Sequence, residues 1–180
     1  MSSPDRVKPE APRQLFSRLR GVDGRDHSFH ALAGETATVV VFIANGCPTA
    51  RAYEERLIAL QDKWRESGVR LIAINSNNAS LSPPDTFAEM VRRSTKGRFN
   101  FLYLKDADGA VAEGFGAICT PHAFVLDREL TIAYSGRIDD SRLGDRISTH
   151  DLDDAIADVV ADRPVSIDRT EPFGCSIVCS

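Results

Sequence analysis

The sequence is poor in features that mark several large classes of protein. Among its 180 residues only four are cysteines, Cys47, Cys119, Cys175 and Cys179. They are too few and too scattered for the disulfide lattice of a small secreted domain. No apolar run approaches the about 18 residues of a membrane span, and the first ten residues lack the apolar core of a secretory signal. We therefore expect a cytoplasmic protein that does not bind membranes.

Positive charge is not in excess either. The chain has 22 Lys and Arg against 26 Asp and Glu, a net charge of -4 and an isoelectric point near 5.6. This balance argues against nucleic acid as a partner. Glycine is scattered, and no glycine-rich loop follows a strand, so the sequence has no flavin, nicotinamide or phosphate motif and we predict no cofactor.

The length and the 42% hydrophobic content fit one domain with flanking segments. Residues 1–12 are polar and contain three prolines, which predicts a flexible N-terminal arm. Residues 13–165 are predicted to form the domain. Residues 166–180 form an irregular C-terminal tail, whose apolar residues favour packing back onto the domain.

Hydrophobic patterns within the domain alternate between strand and helix. A tight Asp-Gly turn within residues 19–29 predicts a small N-terminal hairpin. The β-branched run at 37–43 predicts a strand buried on both faces. A helix follows, with one apolar stripe made of Ala50, Tyr53, Leu57, Leu60 and Trp64. Further strands are predicted at 69–74, 99–104, 123–126 and 130–134, and further helices at 87–94, 111–115 and 151–160. This succession predicts an α/β fold with a mixed central sheet flanked by helices.

Cys47 stands between the buried strand and the amphipathic helix. Pro48 suits the first helical position, so Cys47 is predicted to be the N-cap residue. At that place the free backbone N–H groups and the helix dipole favour a thiolate and lower the pKa of a cysteine. The alternative is a small apolar residue that caps the helix and has no chemical role.

At this point the sequence resembles the redoxin, or alkyl hydroperoxide reductase/thiol-specific antioxidant, branch of the thioredoxin superfamily, and within it a peroxiredoxin-like bacterial group. The matching segments are residues 42–57, 68–77, 119–127, 134–140 and 173–177. They follow one another in the family's order from residue 42 to the end of the chain. The resemblance implies a thioredoxin-like fold.

The resemblance also implies a reactive role for Cys47. Peroxiredoxins place a single peroxidatic cysteine here, often followed by Pro and Thr, as in Cys47-Pro48-Thr49. Thioredoxins instead carry a Cys-x-x-Cys pair, whose first position is Ala44 in this chain. A thioredoxin-type redox cycle within one motif is therefore excluded.

Two further segments are expected beside Cys47. The resemblance implies that the Thr120–Pro121 bond is cis and faces the helix start, with Cys119 close by. The active-site wall is thus expected to comprise Pro48, Thr49, Thr120 and Pro121. The alternative for Cys119 is a buried thiol at the end of a strand.

The tail cysteines have several possible fates. Cys175 lies in a Gly-Cys-Ser-Ile segment that resembles the family's C-terminal signature, and it could form a disulfide with Cys47 if the tail crosses the site. A Cys175–Cys179 disulfide, or no bond at all, is the alternative, and Cys179 has no assigned role. His122 with Cys47 and Cys119 could in principle bind a soft metal, but without a Cys-x-x-Cys ligand pair we predict no metal site.

These observations lead to two hypotheses of function. The first is a thiol-dependent oxidoreductase of the antioxidant, redoxin type, in which Cys47 attacks a disulfide or a hydroperoxide. Cys175 or, second, Cys119 would resolve the product, and a thiol reductant protein or glutathione would supply electrons. The alternative is a non-catalytic thioredoxin-fold module that binds a partner protein or a soft metal. The sequence does not define the oligomeric state.

Overall fold

The computed structural model describes residues 18–179, and the predicted N-terminal arm, residues 1–12, lies outside the described residues. The strands are β1 (Leu19–Gly21), β2 (Asp26–His27), β3 (Ala37–Phe42), β4 (Val69–Asn75), β5 (Leu102–Lys105), β6 (Cys119–Thr120), β7 (His122–Leu126), β8 (Ile132–Gly136) and β9 (Cys175–Ser176). The helices are α1 (Phe29–Leu32), α2 (Pro48–Trp64), α3 (Phe87–Lys96), α4 (Ala110–Phe115) and α5 (Asp151–Val160). None of these helices is long and apolar enough to cross a membrane.

Seven strands form a mixed sheet in the order β2-β1-β5-β4-β3-β7-β8. The central strands β3, β4 and β5 run parallel, whereas β7 pairs antiparallel with β3 and β8 pairs antiparallel with β7. The predicted hairpin, β1 with β2, extends the sheet beyond β5. The mixed central sheet flanked by helices and the N-terminal hairpin are thus confirmed.

Strand β3 is buried on both faces, as its β-branched run predicts. Val39 and Val41 belong to one core cluster, which also includes side chains of α2, α3 and α5. Val40 and Phe42 point the other way, because side chains alternate along a strand, and pack with α1 and α4. Helices therefore cover both faces, and the end of β3 delivers the chain to the start of α2.

Some element boundaries differ from the predictions. The predicted strand at 99–104 begins only at Leu102, because the chain before it still closes the end of α3: Arg98 has a φ of 52°, and the Phe99 N–H donates to Ser94 O at 3.0 Å. The strand predicted at 130–134 lies at 132–136. Leu130 has a φ of 62° and belongs to the turn before that strand, which explains the shift.

A second, two-stranded sheet was not predicted. Strand β9 of the tail pairs antiparallel with β6, which directly precedes Pro121. Two-residue strands have no hydrophobic periodicity of their own, so a sequence pattern does not reveal them. This pairing brings the tail across the carboxyl end of β3.

Candidate active site

Cys47 occupies the N-cap position of α2. Its backbone is extended, with φ -94° and ψ 111°, and its sulfur accepts a hydrogen bond from the Ala50 N–H at 3.3 Å. Pro48 at the first helical position has no N–H to leave unpaired, which suits it to this place. The strand–loop–helix junction therefore aims the thiol at the free N–H groups of the helix start.

The tail brings a second thiol to the first. In the β6–β9 pair, Thr120 stands opposite Cys175, and Cys119 stands opposite Ser176. The Sγ atoms of Cys47 and Cys175 are 2.7 Å apart and share a hydrogen bond. No disulfide joins any of the four cysteines, so the two sulfur atoms are in contact without a covalent bond.

Gly174 makes this close approach possible. A Cβ atom at that position would lie 1.9 Å from the Thr120 carbonyl oxygen. Its φ of 152° also lies in the region that favours glycine. Only glycine, which has no side chain, lets the tail approach Thr120 this closely. This approach places Cys175 directly against Cys47.

The two thiols have pKa values displaced in opposite directions. Burial alone would raise the pKa of Cys47, but hydrogen bonding by Cys175 and by the Ala50 N–H outweighs it, and the pKa is lowered. Burial raises the pKa of Cys175, and its hydrogen bond and negative neighbour at Cys47 raise it further. Cys47 is therefore the first of the two thiols to lose its proton and become a thiolate.

The residues expected to line the site lie around this pair. Thr120 is buried, and its carbonyl oxygen lies 3.2 Å from the Cys47 sulfur. The Thr120–Pro121 bond is cis, as the resemblance implies. Pro48 is exposed, whereas Thr49 is buried and its N–H favours the thiolate of Cys175.

The other two cysteines are less suited to react. Cys119 is buried, and its sulfur is 3.8 Å from the Pro121 carbonyl oxygen. Burial, together with the neighbouring negative groups Cys47, Glu171 and Cys175, raises the pKa of Cys119 to about 11. Cys179 lies elsewhere on the tail, with its sulfur 3.6 Å from the Ser76 carbonyl oxygen.

His122 does not join the thiols as a ligand. Its Nδ1 accepts from the Ile118 N–H at 3.3 Å, and its Nε2 lies 3.0 Å from the Ser135 hydroxyl. Both ring nitrogens are thus engaged by groups other than the thiols. Residues 18–179 contain no group of three or more His, Cys, Asp or Glu side chains that could hold a metal ion.

A buried carboxylate that sequence reasoning missed lies beneath the Cys47 loop. Asp85 is fully buried, and its Oδ1 accepts hydrogen bonds from Asn45 N at 2.7 Å and Gly46 N at 3.4 Å. Two asparagines, Asn75 at the end of β4 and Asn77 in the loop that follows, donate to the same carboxylate at 2.8 and 2.9 Å. A possible signal was the short polar segment that follows a buried strand, since α/β folds place their sites there.

Contacts other than that of Cys175 also hold the tail. The Phe173 ring lies 6.3 Å from the Tyr53 ring of α2. Val178 N donates to Asn77 Oδ1 at 2.9 Å, and Val178 O accepts from Asn78 N at 2.6 Å. With the tail in place, Cys47 is only 2% exposed, so the tail covers the thiol.

A thiol at the N-cap after a central strand, facing a cis-proline and a second thiol, is the arrangement of a thioredoxin-like, thiol-dependent oxidoreductase. The comparison with known families agrees with this class. The chain belongs to the AhpC/TSA family, which it matches over residues 10–135. No curated protein matches it.

Solved structures share the fold. A hypothetical protein from Sinorhizobium meliloti is 31% identical with a TM-score of 0.83, covering 89% of this chain and 88% of that one. An uncharacterized conserved protein from Geobacillus kaustophilus is 32% identical with a TM-score of 0.85, covering 94% and 89%. A secreted disulfide oxidoreductase of Mycobacterium tuberculosis is 17% identical with a TM-score of 0.60, covering 84% and 99%, a likeness of fold alone.

Proposed function

We propose that this protein is a two-cysteine oxidoreductase, in which Cys47 is the attacking thiol and Cys175 resolves the product. The observation that carries the proposal is the 2.7 Å separation of the two sulfur atoms. It is supported by the opposite displacement of the two pKa values, which makes Cys47 the nucleophile and Cys175 the proton donor. The proposal therefore assigns different roles to the two thiols.

With a hydroperoxide as substrate, the Cys47 thiolate attacks the terminal peroxide oxygen. The O–O bond breaks, an alcohol or water leaves, and Cys47 becomes a sulfenic acid. The sulfur of Cys175 then attacks the Cys47 sulfur. Water leaves, and a Cys47–Cys175 disulfide remains, so the substrate has taken up two electrons from the two thiols.

With a disulfide as substrate, the thiolate attacks one of its sulfur atoms and a thiolate leaves. Cys175 then attacks Cys47 in the mixed disulfide and releases the second thiol. Both routes end at the same Cys47–Cys175 disulfide. A thiol reductant protein or glutathione supplies the two electrons that restore the pair.

The reductant attacks Cys175 rather than Cys47. Cys175 is half-buried, whereas Cys47 is only 2% exposed beneath the tail. A sulfur with a lowered pKa is also the better leaving group, and that sulfur belongs to Cys47. The mixed disulfide with the reductant therefore forms at Cys175.

Cys175 is the better resolving residue than Cys119. Its sulfur contacts that of Cys47, whereas the sulfur of Cys119 contacts the Pro121 carbonyl oxygen instead. The pKa of about 11 keeps Cys119 protonated at neutral pH. Cys119 is thus expected to stay a thiol throughout the cycle.

The test is to add one equivalent of hydrogen peroxide or of oxidised glutathione to the reduced protein, block the remaining thiols and map the disulfides by mass spectrometry. We expect a Cys47–Cys175 disulfide with at least one oxidant. In Cys175→Ser, Cys47 is expected to accumulate as a sulfenic acid or a glutathione adduct. The oxidant that reacts faster indicates whether the substrate is a hydroperoxide or a disulfide.

The result against the proposal is an unreactive Cys47 beside reactive tail cysteines. If Cys47→Ser also retained every binding partner of the wild-type protein, the non-catalytic binding module would be favoured. Cys119→Ser serves as the matched control, because it removes a buried thiol of the same region. We expect it to form the Cys47–Cys175 disulfide as the wild-type protein does.

A further inference from the structure

The loop that carries Cys47 and the tail that carries Cys175 are both tied to one buried side chain. We propose that Asp85 is a positioning residue that fixes both reacting cysteines, the first through the backbone of Asn45 and Gly46 and the second through the amide of Asn77. This assignment rests on the proposed function, because it concerns the alignment of the same two thiols. Asp85 itself contacts neither sulfur in the contacts described above.

The first connection runs to the Cys47 loop. Asp85 Oδ1 accepts from Asn45 N at 2.7 Å and from Gly46 N at 3.4 Å, the two residues that precede Cys47. Backbone N–H groups cannot rotate away from their acceptor without moving the chain. The carboxylate therefore fixes the loop at the point where it enters helix α2.

The second connection runs to the tail. Asn77 Nδ2 donates to Asp85 Oδ2 at 2.9 Å, and this bond leaves Asn77 Oδ1 to accept from Val178 N at 2.9 Å. A carboxylate is only an acceptor, so it dictates which end of the Asn77 amide faces the tail. Val178 lies three residues after Cys175, and its pairing holds β9 in place.

Asp85 is suited to this role by its charge. Burial would raise its pKa, but hydrogen bonds from Ser82, Asn77, Asn75 and Asn45 outweigh it, and the pKa is lowered. The carboxylate is therefore ionised at neutral pH and accepts from every donor around it. The Lys105 ammonium donates to the Asp85 backbone oxygen at 2.8 Å and to Asn77 O at 2.6 Å, which ties the same two residues together.

Asp85→Asn separates the two connections. Oδ1 faces three donors, two of them immobile backbone groups, whereas Oδ2 faces the Asn77 amide and the Ser82 hydroxyl, both of which can turn. The new amide is thus expected to place its oxygen at the Oδ1 position and its NH2 towards Asn77. Asn77 then flips and presents its own NH2 to Val178 N–H, which breaks the tail connection and keeps the loop connection.

The experiment compares variants in a background in which Cys119 and Cys179 are replaced by Ser. Its three measurements are the rate of Cys47–Cys175 disulfide formation, the pH midpoint of Cys47 alkylation and peptide-level hydrogen exchange of residues 173–179. Asn77→Ala and Asp85→Asn are both expected to slow disulfide formation about tenfold, to speed exchange of the tail and, because Cys175 then supports the Cys47 thiolate less well, to raise the alkylation midpoint to a similar extent. Asp85→Ala removes both connections and is expected to raise that midpoint further.

Ser82→Ala is the matched control, because it removes one hydrogen bond to the carboxylate and neither connection. We expect its rate to stay within twofold of the wild type. If Asp85→Ala does not fold, the double variant Asp85→Asn with Asn77→Ala decides, since it should be no slower than Asn77→Ala alone. Two additive losses, or unchanged exchange of the tail in Asp85→Asn, would overturn the proposal.

Failure of the proposed function has a different signature. A wild-type protein that forms no Cys47–Cys175 disulfide refutes the two-cysteine cycle. The alkylation midpoint and the tail exchange do not need the cycle. They still show whether Asp85 orients the loop and the tail, and unchanged values in the Asp85 variants would refute that role as well.

Discussion

Replacement of Gly174 by Ala should separate the two thiols while leaving the rest of the domain folded. The added Cβ would lie 1.9 Å from the Thr120 carbonyl oxygen, whereas ordinary contacts begin near 3.4 Å. The tail and the carbonyl must therefore move apart by about 1.5 Å. Thr120 is buried in the wall beside Pro121, so the exposed tail is expected to be the part that moves.

The displacement is more than half of the sulfur–sulfur distance that it disturbs. The Cys47 and Cys175 sulfur atoms are 2.7 Å apart, and Cys175 directly follows Gly174. A misplacement of about 1 Å can slow a reaction about 100-fold, because the reacting atoms no longer meet at the required distance and angle. We expect disulfide formation in Gly174→Ala to slow by about that factor.

The assay is rapid mixing of the reduced protein with one equivalent of hydrogen peroxide, followed by acid quench and mass spectrometry. Dimedone added at intervals measures the lifetime of the Cys47 sulfenic acid, which should lengthen as the disulfide forms more slowly. Oxidised glutathione replaces the peroxide if that is the oxidant that reacts. In that case the lifetime of the Cys47 adduct is the quantity measured.

Gly116→Ala is the control for backbone strain. Gly116 has a φ of 71°, yet a Cβ there meets no atom within 4 Å. This variant should cost about 1 kcal/mol of stability through strain and leave the rate of disulfide formation unchanged. The reasoning would be refuted by a wild-type rate in Gly174→Ala, or by an equal loss of rate in Gly116→Ala.

Three further predictions concern the thiols and His122. Cys119→Ser should form the Cys47–Cys175 disulfide within twofold of the wild-type rate, whereas a Cys47–Cys119 disulfide in the wild type that this variant loses would make Cys119 the resolving residue. In the reduced wild-type protein, alkylation followed residue by residue with mass spectrometry should give Cys47 a lower pH midpoint than Cys119, whose pKa is raised to about 11; equal midpoints would contradict the site described here. Burial, and then the charge of Arg169, lower the pKa of His122 to about 4, so the folded state resists a proton that the unfolded state takes up near 6.5. The contribution of His122 to the free energy of unfolding is therefore complete above pH 6.5 and falls by about 3 kcal/mol as the pH drops to 4. Chemical unfolding of His122→Gln across this range should lack that loss, and a parallel decline of both proteins would exclude His122 as its source.

Local patterns were sufficient to predict Cys47 and the central fold. The uninterrupted β-branched run of β3 requires burial on both faces, and the structure places helices on both. Pro48 marks the helix start, which puts Cys47 at the N-cap. These features depend on residues that are neighbours in sequence, so a single chain carries the information.

The residues that surround Cys47 are brought to it by long-range contacts. Cys175, Thr120 and Pro121 were predicted from the family resemblance and not from a hydrophobic pattern. Cys175 meets Cys47 only because β9 pairs with β6, a contact between two-residue strands. Asn77 lies in a polar loop and Asp85 ends a single 3-10 turn (Pro83–Asp85), neither of which has a hydrophobic periodicity, and their side chains converge on the site only after β4 is placed beside β3. A buried carboxylate of this kind reads as an ordinary turn residue in the sequence.

Because the paired thiols lie far apart in the sequence, oxidation would change the stability of the whole domain. Cys47 and Cys175 are 128 positions apart, so their disulfide would close most of the polypeptide into a ring. In the chain-entropy description, a ring of that length destabilises the unfolded state by about 5 kcal/mol. Because the thermodynamic cycle must close, the folded state favours the disulfide by the same amount by which the disulfide favours folding. Each reduction by a partner would therefore lower the free energy of unfolding of the domain, and each oxidation would raise it.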